Sequence, residues 1–344
     1  MNQLSYETWL DFLKKEGYGH KQSEKLAAYA HKLASNNVPI IFEIEHLAKL
    51  LGVELSLLSR IYGVSSYFYR SFSIKKRSGG ARNIKLPYPK LKYIQQWIKQ
   101  EILDNLTVDE NAFAYVKGKS NIENAKLHIG SNELLKLDIK DFFGNVKVES
   151  IESIFRSCGY TDDVSYLLAR LCTCFGFLPQ GAPTSPTLSN LVLQALDKNL
   201  AHFANINSLT FSRYADDIFL SGKLITKEIK QDAVEIVEKS GLPINHNKTK
   251  IIRGNTCKII TGLIVTDSTV RVPKKIRREF RKNSFFMLKN KSSQMDGSRA
   301  KLNPLLIDEI IGVGNYIIRV EPSNKYVESV LGELQELKKD LFGK

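Results

Sequence analysis

The stretch Leu209-Thr210-Phe211-Ser212-Arg213-Tyr214-Ala215-Asp216-Asp217-Ile218-Phe219-Leu220-Ser221 decides the fold. Aromatic, β-branched and apolar residues on either side of two aspartates predict two strands, Leu209 to Ala215 and Ile218 to Ser221, meeting at a tight Asp216-Asp217 turn. Aspartates are common in turns, because their short side chains tolerate left-handed backbone angles and bond locally. A pair of them between two apolar strands is a less ordinary place for charge. Upstream, Leu134 to Phe142 (LLKLDIKDF) reads as a further buried strand, apolar before Asp138 and acidic after it. Adjacent strand ends can bring Asp138, Asp216 and Asp217 together. Carboxylates that close repel unless cations sit between them, and all-oxygen sites suit hard ions such as Mg²⁺. Two such ions, about 3.5 to 4 Å apart, can activate one oxygen and stabilise another in an in-line displacement at phosphorus.

Outward from these strands, the segment Leu178-Pro179-Gln180-Gly181-Ala182-Pro183-Thr184-Ser185-Pro186 is a turn-rich loop. It runs into a helix expected to continue to about Phe203, with Ser185 as its cap and Pro186 in its first turn. Helices are predicted from Val148 to Cys158, from Asp162 to Cys174 and from Thr226 to Ser240. Strands recur at Thr249 to Arg253, Lys258 to Thr266 and Thr269 to Val272, and the final 70 residues read as helical. The middle order β, α, α, β, β, α, β predicts an α+β chain with a split βαβ sheet covered by helices on one face. Residues 1 to 65 read as a leader of short amphipathic helices, Tyr6 to Lys14, Lys21 to Ala34 and His46 to Tyr62, with Asn36-Asn37 and Pro39 as breakers. Helix-turn-helix spacing between Leu47 and Ile61 is accounted for by two packed helices with Gly52 at the corner. A basic hairpin is expected from Phe72 to Leu86 around Ser78-Gly79-Gly80, carrying Lys75, Lys76, Arg77 and Arg82. A helix from Tyr88 to Leu106 follows.

Composition narrows the class of protein. With 344 residues, 43% apolar and 25% charged, the chain is not disordered, collagenous or a small disulfide scaffold. No apolar run approaches the ~20 residues of a membrane span, and Met1 to Leu10 lacks the pattern of a secretory signal. Cys158, Cys172, Cys174 and Cys257 form no CxxC pair, which argues against a zinc ribbon and fits buried thiols in the cytoplasm. The net charge of +14 is concentrated: nine Lys/Arg and no acid lie between Arg70 and Gln100, and nine against Glu279 alone between Arg271 and Lys291. Such blocks are the footprint of a polyanion, because neutralising phosphates releases counterions; a solvated face is the plainer account.

At this point the chain resembles the reverse transcriptases. Tyr214-Ala215-Asp216-Asp217 looks like their YxDD motif, Asp138 with Phe142-Phe143 like their first catalytic motif, and Leu178 to Pro186 like their LPQGxxxSP motif, in the family's order. Within that family it is most similar to the bacterial retron-type enzymes: Asn124-Ala125-Lys126-Leu127-His128 matches their NAxxH motif, and Ile260-Thr261-Gly262 stands where they carry Val-Thr-Gly. The resemblance implies a right-hand polymerase architecture, with a leader over 1–65, fingers over 66–133, a palm over 134–268 that takes back part of the fingers near 160–185, and a basic helical thumb over 269–344.

The same resemblance implies roles. Asp138 and Asp216 would ligate two Mg²⁺, Asp217 would add a ligand or its field, and Ile139 joins the metal-binding set. Lys75, Lys76 and Arg82 would reach the triphosphate of an incoming dNTP, and Gln180 the nucleotide and template. Phe143 would lie against the sugar, where a ring excludes a ribose 2′-hydroxyl, and plain core packing is its alternative. Lys248 resembles the lysine that protonates pyrophosphate, and a simple phosphate contact is as good an account. For His128 the better account is a hydrogen-bonded structural histidine. In the Lys274 to Lys291 segment, burial alone accounts for Phe280, Phe285 and Phe286, while its cations would track a duplex backbone. The partners implied are a structured noncoding RNA as template and primer, its branched RNA-DNA product primed from a guanosine 2′-hydroxyl, and an effector protein encoded nearby, in phage defence, with no membrane. Other free-standing bacterial reverse transcriptases, a two-metal nuclease and a non-catalytic RNA-binding protein are the alternatives.

Overall fold

The computed structural model describes residues 5–75, 79–254, 256–294 and 304–342, so Lys76, Arg77 and Ser78 of the expected hairpin lie outside the described residues. Four helices come first: α1 (Tyr6–Lys15), α2 (His20–Ser35), α3 (Ile44–Leu51) and α4 (Leu55–Gly63). The stretch from His46 to Tyr62 is two helices with Gly52 at the corner, as expected, and the φ of +63° at Gly52 closes α3. A residue without Cβ adopts that angle at little cost. The basic hairpin follows as β1 (Tyr69–Lys75) and β2 (Ala81–Pro87), paired from Tyr69↔Pro87 to Lys75↔Ala81. Next come α5 (Pro89–Glu101), which ends short of Leu106 in a 3-10 turn at Leu103–Asn105, and α6 (Asn121–Lys126), capped by Ser120.

The central sheet is built from β3 (Glu133–Asp138) and, after α7 (Val148–Ser157), α8 (Asp162–Cys172), α9 (Ser185–Val192) and α10 (Gln194–Ile206), from β4 (Thr210–Tyr214) and β5 (Asp217–Gly222). Its last strand, β6 (Lys250–Ile252), comes after α11 (Lys227–Lys239). The strand order is β4-β5-β3-β6 with every neighbour antiparallel, the split βαβ arrangement that the element order predicts. Two local readings are corrected. Ser185 does not cap the helix after the Pro-rich loop: it is the first residue of α9, and its hydroxyl donates back to the Pro179 carbonyl at 2.7 Å, tying the loop to the helix. The helix expected to run to Phe203 is two helices meeting at Leu193.

Alternation along the strands divides the sheet's faces. Leu135, Leu137, Phe211, Ile218 and Leu220 form one core with Leu196 and Leu200 of α10 and Val234 and Val237 of α11. The opposite face is not left bare, as one-sided cover would have it: Leu134, Phe219 and Ile252 join a second core. That core is completed by β7 (Lys258–Ile260), β8 (Leu263–Val265) and β9 (Val270–Arg271), then α12 (Lys274–Gln294), α13 (Pro304–Val320) and α14 (Lys325–Phe342). A third core joins Leu33, Leu47 and Leu58 of the opening helices, and Ile41 between α2 and α3, to α5, α7, α8 and α9. On α12 only Phe280 of the three phenylalanines is buried; Phe285 and Phe286 are 58% and 52% exposed, which corrects the reading that burial explains them all. Cys158, Cys172 and Cys174 are buried and Cys257 is exposed. No helix among the described residues is long and apolar enough to cross a membrane.

His128, two residues beyond α6, binds the helix to this sheet. Its Nδ1 lies 2.7 Å from the Ser221 hydroxyl on β5 and its Nε2 2.7 Å from the Ser212 hydroxyl on β4. Both ring nitrogens have a hydroxyl partner, and one bond donated with one accepted satisfies the neutral ring. Asn124, one turn earlier, is fully buried with neither side-chain amide atom hydrogen-bonded. Burial lowers the His128 pKa to about 4. Its folded value is therefore below the unfolded one of about 6.5, and the unfolded chain binds the extra proton. Stability is complete above the unfolded pKa and drains away as pH falls toward the folded one, by up to about 3 kcal/mol. Urea unfolding measured from pH 7 to pH 4 is expected to show this loss in the native chain and a flatter profile in His128→Gln; parallel profiles would contradict it.

Candidate active site

The carboxylates are set by strand register. Asp138 and Asp217 are direct partners across β3 and β5, and the Ile139 N–H donates to the Asp216 carbonyl at 2.9 Å just beyond them. That bond makes Asp138 and Asp217 a non-hydrogen-bonded pair, the closer of the two antiparallel kinds, with both side chains on one face. Two unit charges about 5 Å apart repel by ~3 kcal/mol at an effective dielectric of 20. Ammonium groups answer them: Lys248 Nζ is 2.8 Å from Asp138 Oδ2, and Lys136 Nζ is 2.8 Å from Asp217 Oδ1. Lys136 also lies over the Phe219 ring, 5.3 Å from its centroid.

The turn itself differs from the expected Asp-Asp tip. Tyr214 pairs with Asp217, so the two connecting residues are Ala215 and Asp216, and Asp217 already belongs to β5. Ala215 holds φ +56°, which costs a residue with a Cβ about 1 kcal/mol. Asp216 follows it, and burial first, then the charges of Asp217 and Asp138, hold its carboxyl above the usual range. Lys248 is raised in turn, chiefly by its hydrogen bond to Asp138. Beyond β3 the chain continues as a bridge between Ile139 and Ile244, flanked by Asn245 N–H to Asp138 O and Lys140 N–H to Pro243 O, both 2.8 Å. The Ile139 carbonyl takes part in neither bond.

The donor set fits a divalent ion. Among the described residues no three acidic, histidine or cysteine side chains form a preassembled metal cage. Mg²⁺ does not need one, since it is usually bound by one or two carboxylates together with substrate oxygens and water. Asp138, Asp217 and Asp216 offer such oxygens, and the two lysines stand where positive charge is required.

Around this centre the other expected residues are distributed unevenly. Phe143, in a short 3-10 turn, is half-buried with its ring 5.0 Å from that of Phe142 and 6.4 Å from that of Tyr115. Arg82 is close enough for its charge to act on Tyr115, whose phenol is raised by burial and then by Asp216. Lys75 stands exposed at the far end of β1, and Lys76 lies outside the described residues. Gln180 reaches β2 through its main chain, accepting the Lys85 N–H at 2.9 Å. Next to it Gly181 holds φ +124°, where a Cβ would stand 3.0 Å from Ile84 Cγ2 and from the Lys85 carbonyl oxygen.

Three residues of the site, Tyr115, Asn121 and Lys136, are not singled out in the sequence. A cleft of about 380 Å³ runs beside the carboxylates, lined by Tyr115, Asn121, Lys136, Tyr214, Thr261 and Gly262 among others. Lys136 could have been found by period two, as it shares a strand face with Asp138. Tyr115, at φ +63°, gives no such signal. Asn121 Nδ2 donates to the Tyr316 hydroxyl at 2.9 Å, and its main-chain carbonyl accepts from Thr261 Oγ1 at 3.1 Å. The α6 helix and the Thr261-Gly262 turn therefore form one wall of the cleft. Farther off, Arg278, Arg281, Lys282, Phe285, Phe286 and Tyr326 share a basic and aromatic surface, with the Arg281 guanidinium 5.0 Å from the Tyr326 ring. Gly181→Ala is expected to push the loop off β2 and destabilise the protein by about 2 kcal/mol, read as a fall in thermal unfolding temperature. An unchanged temperature would show that the close approach is not needed.

Comparison with known proteins shows the family. The family profile described as "Reverse transcriptase (RNA-dependent DNA polymerase)" matches residues 74–295. The retron Ec86 reverse transcriptase of Escherichia coli is 30% identical over 290 residues, covering 83% of this chain and 90% of that protein. The retron Mx65 reverse transcriptase of Myxococcus xanthus is 32% identical over 300 residues, covering 80% of this chain and 69% of its own length. Among solved structures, Candida albicans telomerase in complex with a fragment of telomeric RNA matches loosely, at a TM-score of 0.46 and 11% identity over 85% of this chain and 68% of that one. On the profile match and the likeness to the retron enzymes over four fifths of its length, this chain belongs to the reverse transcriptases, the RNA-directed DNA polymerases, and within them to the bacterial retron type.

Proposed function

We propose that this reverse transcriptase copies a structured noncoding RNA, which serves as both template and primer, into DNA that stays joined to the RNA. Synthesis starts from a guanosine 2′-hydroxyl and proceeds by two-Mg²⁺ phosphoryl transfer. In the cell the product acts with an effector protein encoded nearby, in phage defence. The observation that carries the chemistry is the close Asp138–Asp217 pair with Asp216 beside it. The likeness to retron enzymes supports the choice of RNA and the branched product.

In this reading Asp138 and Asp216 hold both ions, and Asp217 and the Ile139 carbonyl complete the protein's share of ligands. When bound, the ions lower the pKa of the primer hydroxyl and neutralise charge on the triphosphate and the departing pyrophosphate. Lys248 keeps a proton at Nζ beside Asp138, and its side chain is 54% exposed, so it can turn toward a leaving phosphate. Arg82 and the lysines of the hairpin meet the triphosphate, Arg82 by bidentate contact. Phe143 closes the pocket against a 2′-hydroxyl, and Gln180 presents its amide to the nucleotide and template. The basic face of α12 follows the duplex, with Phe285, Phe286 and Tyr326 as apolar ground between the cations.

Primer extension on an RNA template is expected to require Mg²⁺ and to fall by roughly a thousandfold in Asp138→Ala and in Asp216→Asn, with folding unchanged by circular dichroism. Cutting of the RNA without dNTP incorporation would instead identify a nuclease. Sequencing of DNA co-purified with the protein, before and after 2′,5′ debranching, separates a branched product from a free one. Arg278→Ala is expected to weaken RNA binding and to reduce the slope of log affinity against log salt by about 1; an unchanged slope would remove α12 from the RNA interface.

A further inference from the structure

Arg213 precedes Tyr214 on β4, and its side chain is fully buried, as is that of its partner Asp197 on α10. Nε and Nη2 each donate to a different carboxylate oxygen of Asp197, both at 2.6 Å. Nη1 donates to Oδ1 of Asn190 on α9 at 3.0 Å and to the main-chain carbonyl of Ala215 at 3.2 Å. Asn190 is itself oriented, because its Nδ2 donates to the Ala114 carbonyl at 2.8 Å. Through its main chain, Arg213 also donates to Asn111 O at 2.8 Å and accepts from Phe113 N–H at 2.9 Å.

A buried ion pair is a poor way to fill a core, since apolar residues of similar volume are often as stabilising or more so. What the pair supplies that an apolar pair cannot is direction. The bidentate contact with Asp197 fixes the plane of the guanidinium, and Asn190 fixes its rotation, so Nη1 is aimed at one main-chain oxygen. That oxygen belongs to Ala215, the residue held at φ +56°. The next carbonyl, of Asp216, is gripped from the other side by the Ile139 N–H. The two-residue turn is therefore held at consecutive carbonyls, one from the interior and one from β3, in a conformation that its own sequence does not favour.

We propose that Arg213, held by Asp197 and Asn190, is a positioning residue that fixes the Ala215–Asp216 turn and so sets the Asp216 carboxylate for divalent-cation binding. This rests on the reading of Asp216 as a metal ligand. Arg213 touches no substrate; it acts through the Ala215 carbonyl. A lysine in its place would keep the charge and lose the fork.

The test uses the full chain, with Mn²⁺ binding followed by electron paramagnetic resonance in the absence of nucleotide, and steady-state kinetics against Mg²⁺ and dNTP. Arg213→Lys is expected to weaken Mn²⁺ binding by roughly tenfold and to raise the Mg²⁺ needed for half-maximal rate by a similar factor. It should lower kcat with the KM for dNTP unchanged. Adding Ala215→Gly, which accepts a positive φ freely, is expected to recover part of the loss. The apolar replacement Arg213→Met with Asp197→Leu is expected to unfold at about the native temperature and still to show the metal defect; native metal binding and kcat in that stable variant would overturn the proposal. Should Arg213→Lys fail to fold, the apolar double variant and Asn190→Ala, which frees Nη1 without unpairing the charges, carry the same readouts. Asp216→Asn is the control: if it binds Mn²⁺ as the native chain does, the metal assignment fails independently of Arg213.

Discussion

Two carboxylates facing each other across a narrow antiparallel pair, Asp138 on β3 and Asp217 on β5, are the constraint around which this protein is arranged. Their repulsion, a few kcal/mol at the effective dielectric of such a site, would favour a slipped register or a splayed strand end if nothing answered it. The register is held by what lies behind them. Leu135, Leu137, Ile218 and Leu220 are packed against α10 and α11, so a slip of one residue would turn that apolar set to the opposite face. Lys136 and Lys248 then balance the charge in place.

The surroundings divide into a rigid floor and a more open rim. Both faces of the sheet carry a closed polar network: the buried Arg213–Asp197 pair on one, and on the carboxylate face, farther along β4 and β5, the His128 link between Ser212 and Ser221. Groups with the freedom to meet a substrate stand above: Lys248, Arg82, Tyr115 and the exposed aromatic residues of α12. Such a division suits phosphoryl transfer, in which catalysis is mostly positioning and charge and the fixed groups must not relax when the reaction begins. Of the two retron-type motifs, Thr261 and Gly262 of one line the cleft, where the Thr261 hydroxyl donates to the Asn121 carbonyl, whereas Asn124 and His128 of the other are buried away from it.

Much of this was legible in the chain. The three aspartates, the strands that carry them and the element order of the split βαβ sheet follow from period-two patterning and turn residues, which are local properties. The errors were also local in kind. Asp217 was placed in the turn because Asp-Asp is a turn-like dipeptide, whereas pairing with Tyr214 draws it into β5 and leaves Ala215 to take the strained angle. Ser185 looked like a helix cap by type and position, yet the Pro179 carbonyl offers its hydroxyl a buried partner. Phe285 and Phe286 looked like core by composition and are exposed.

By itself, the sequence determined which residues carry charge, where strands and helices alternate and that two basic blocks flank a carboxylate motif, because propensity and periodicity act over a few neighbours. Only the tertiary structure decided which partner each charge has. Asp197 and Arg213 are 16 residues apart, and Lys248 and Asp138 are 110 apart. Pairings at such distances depend on how separate elements pack, and no short window of sequence contains both members. The same holds for His128, whose two serines come together only because β4 and β5 pair in one register.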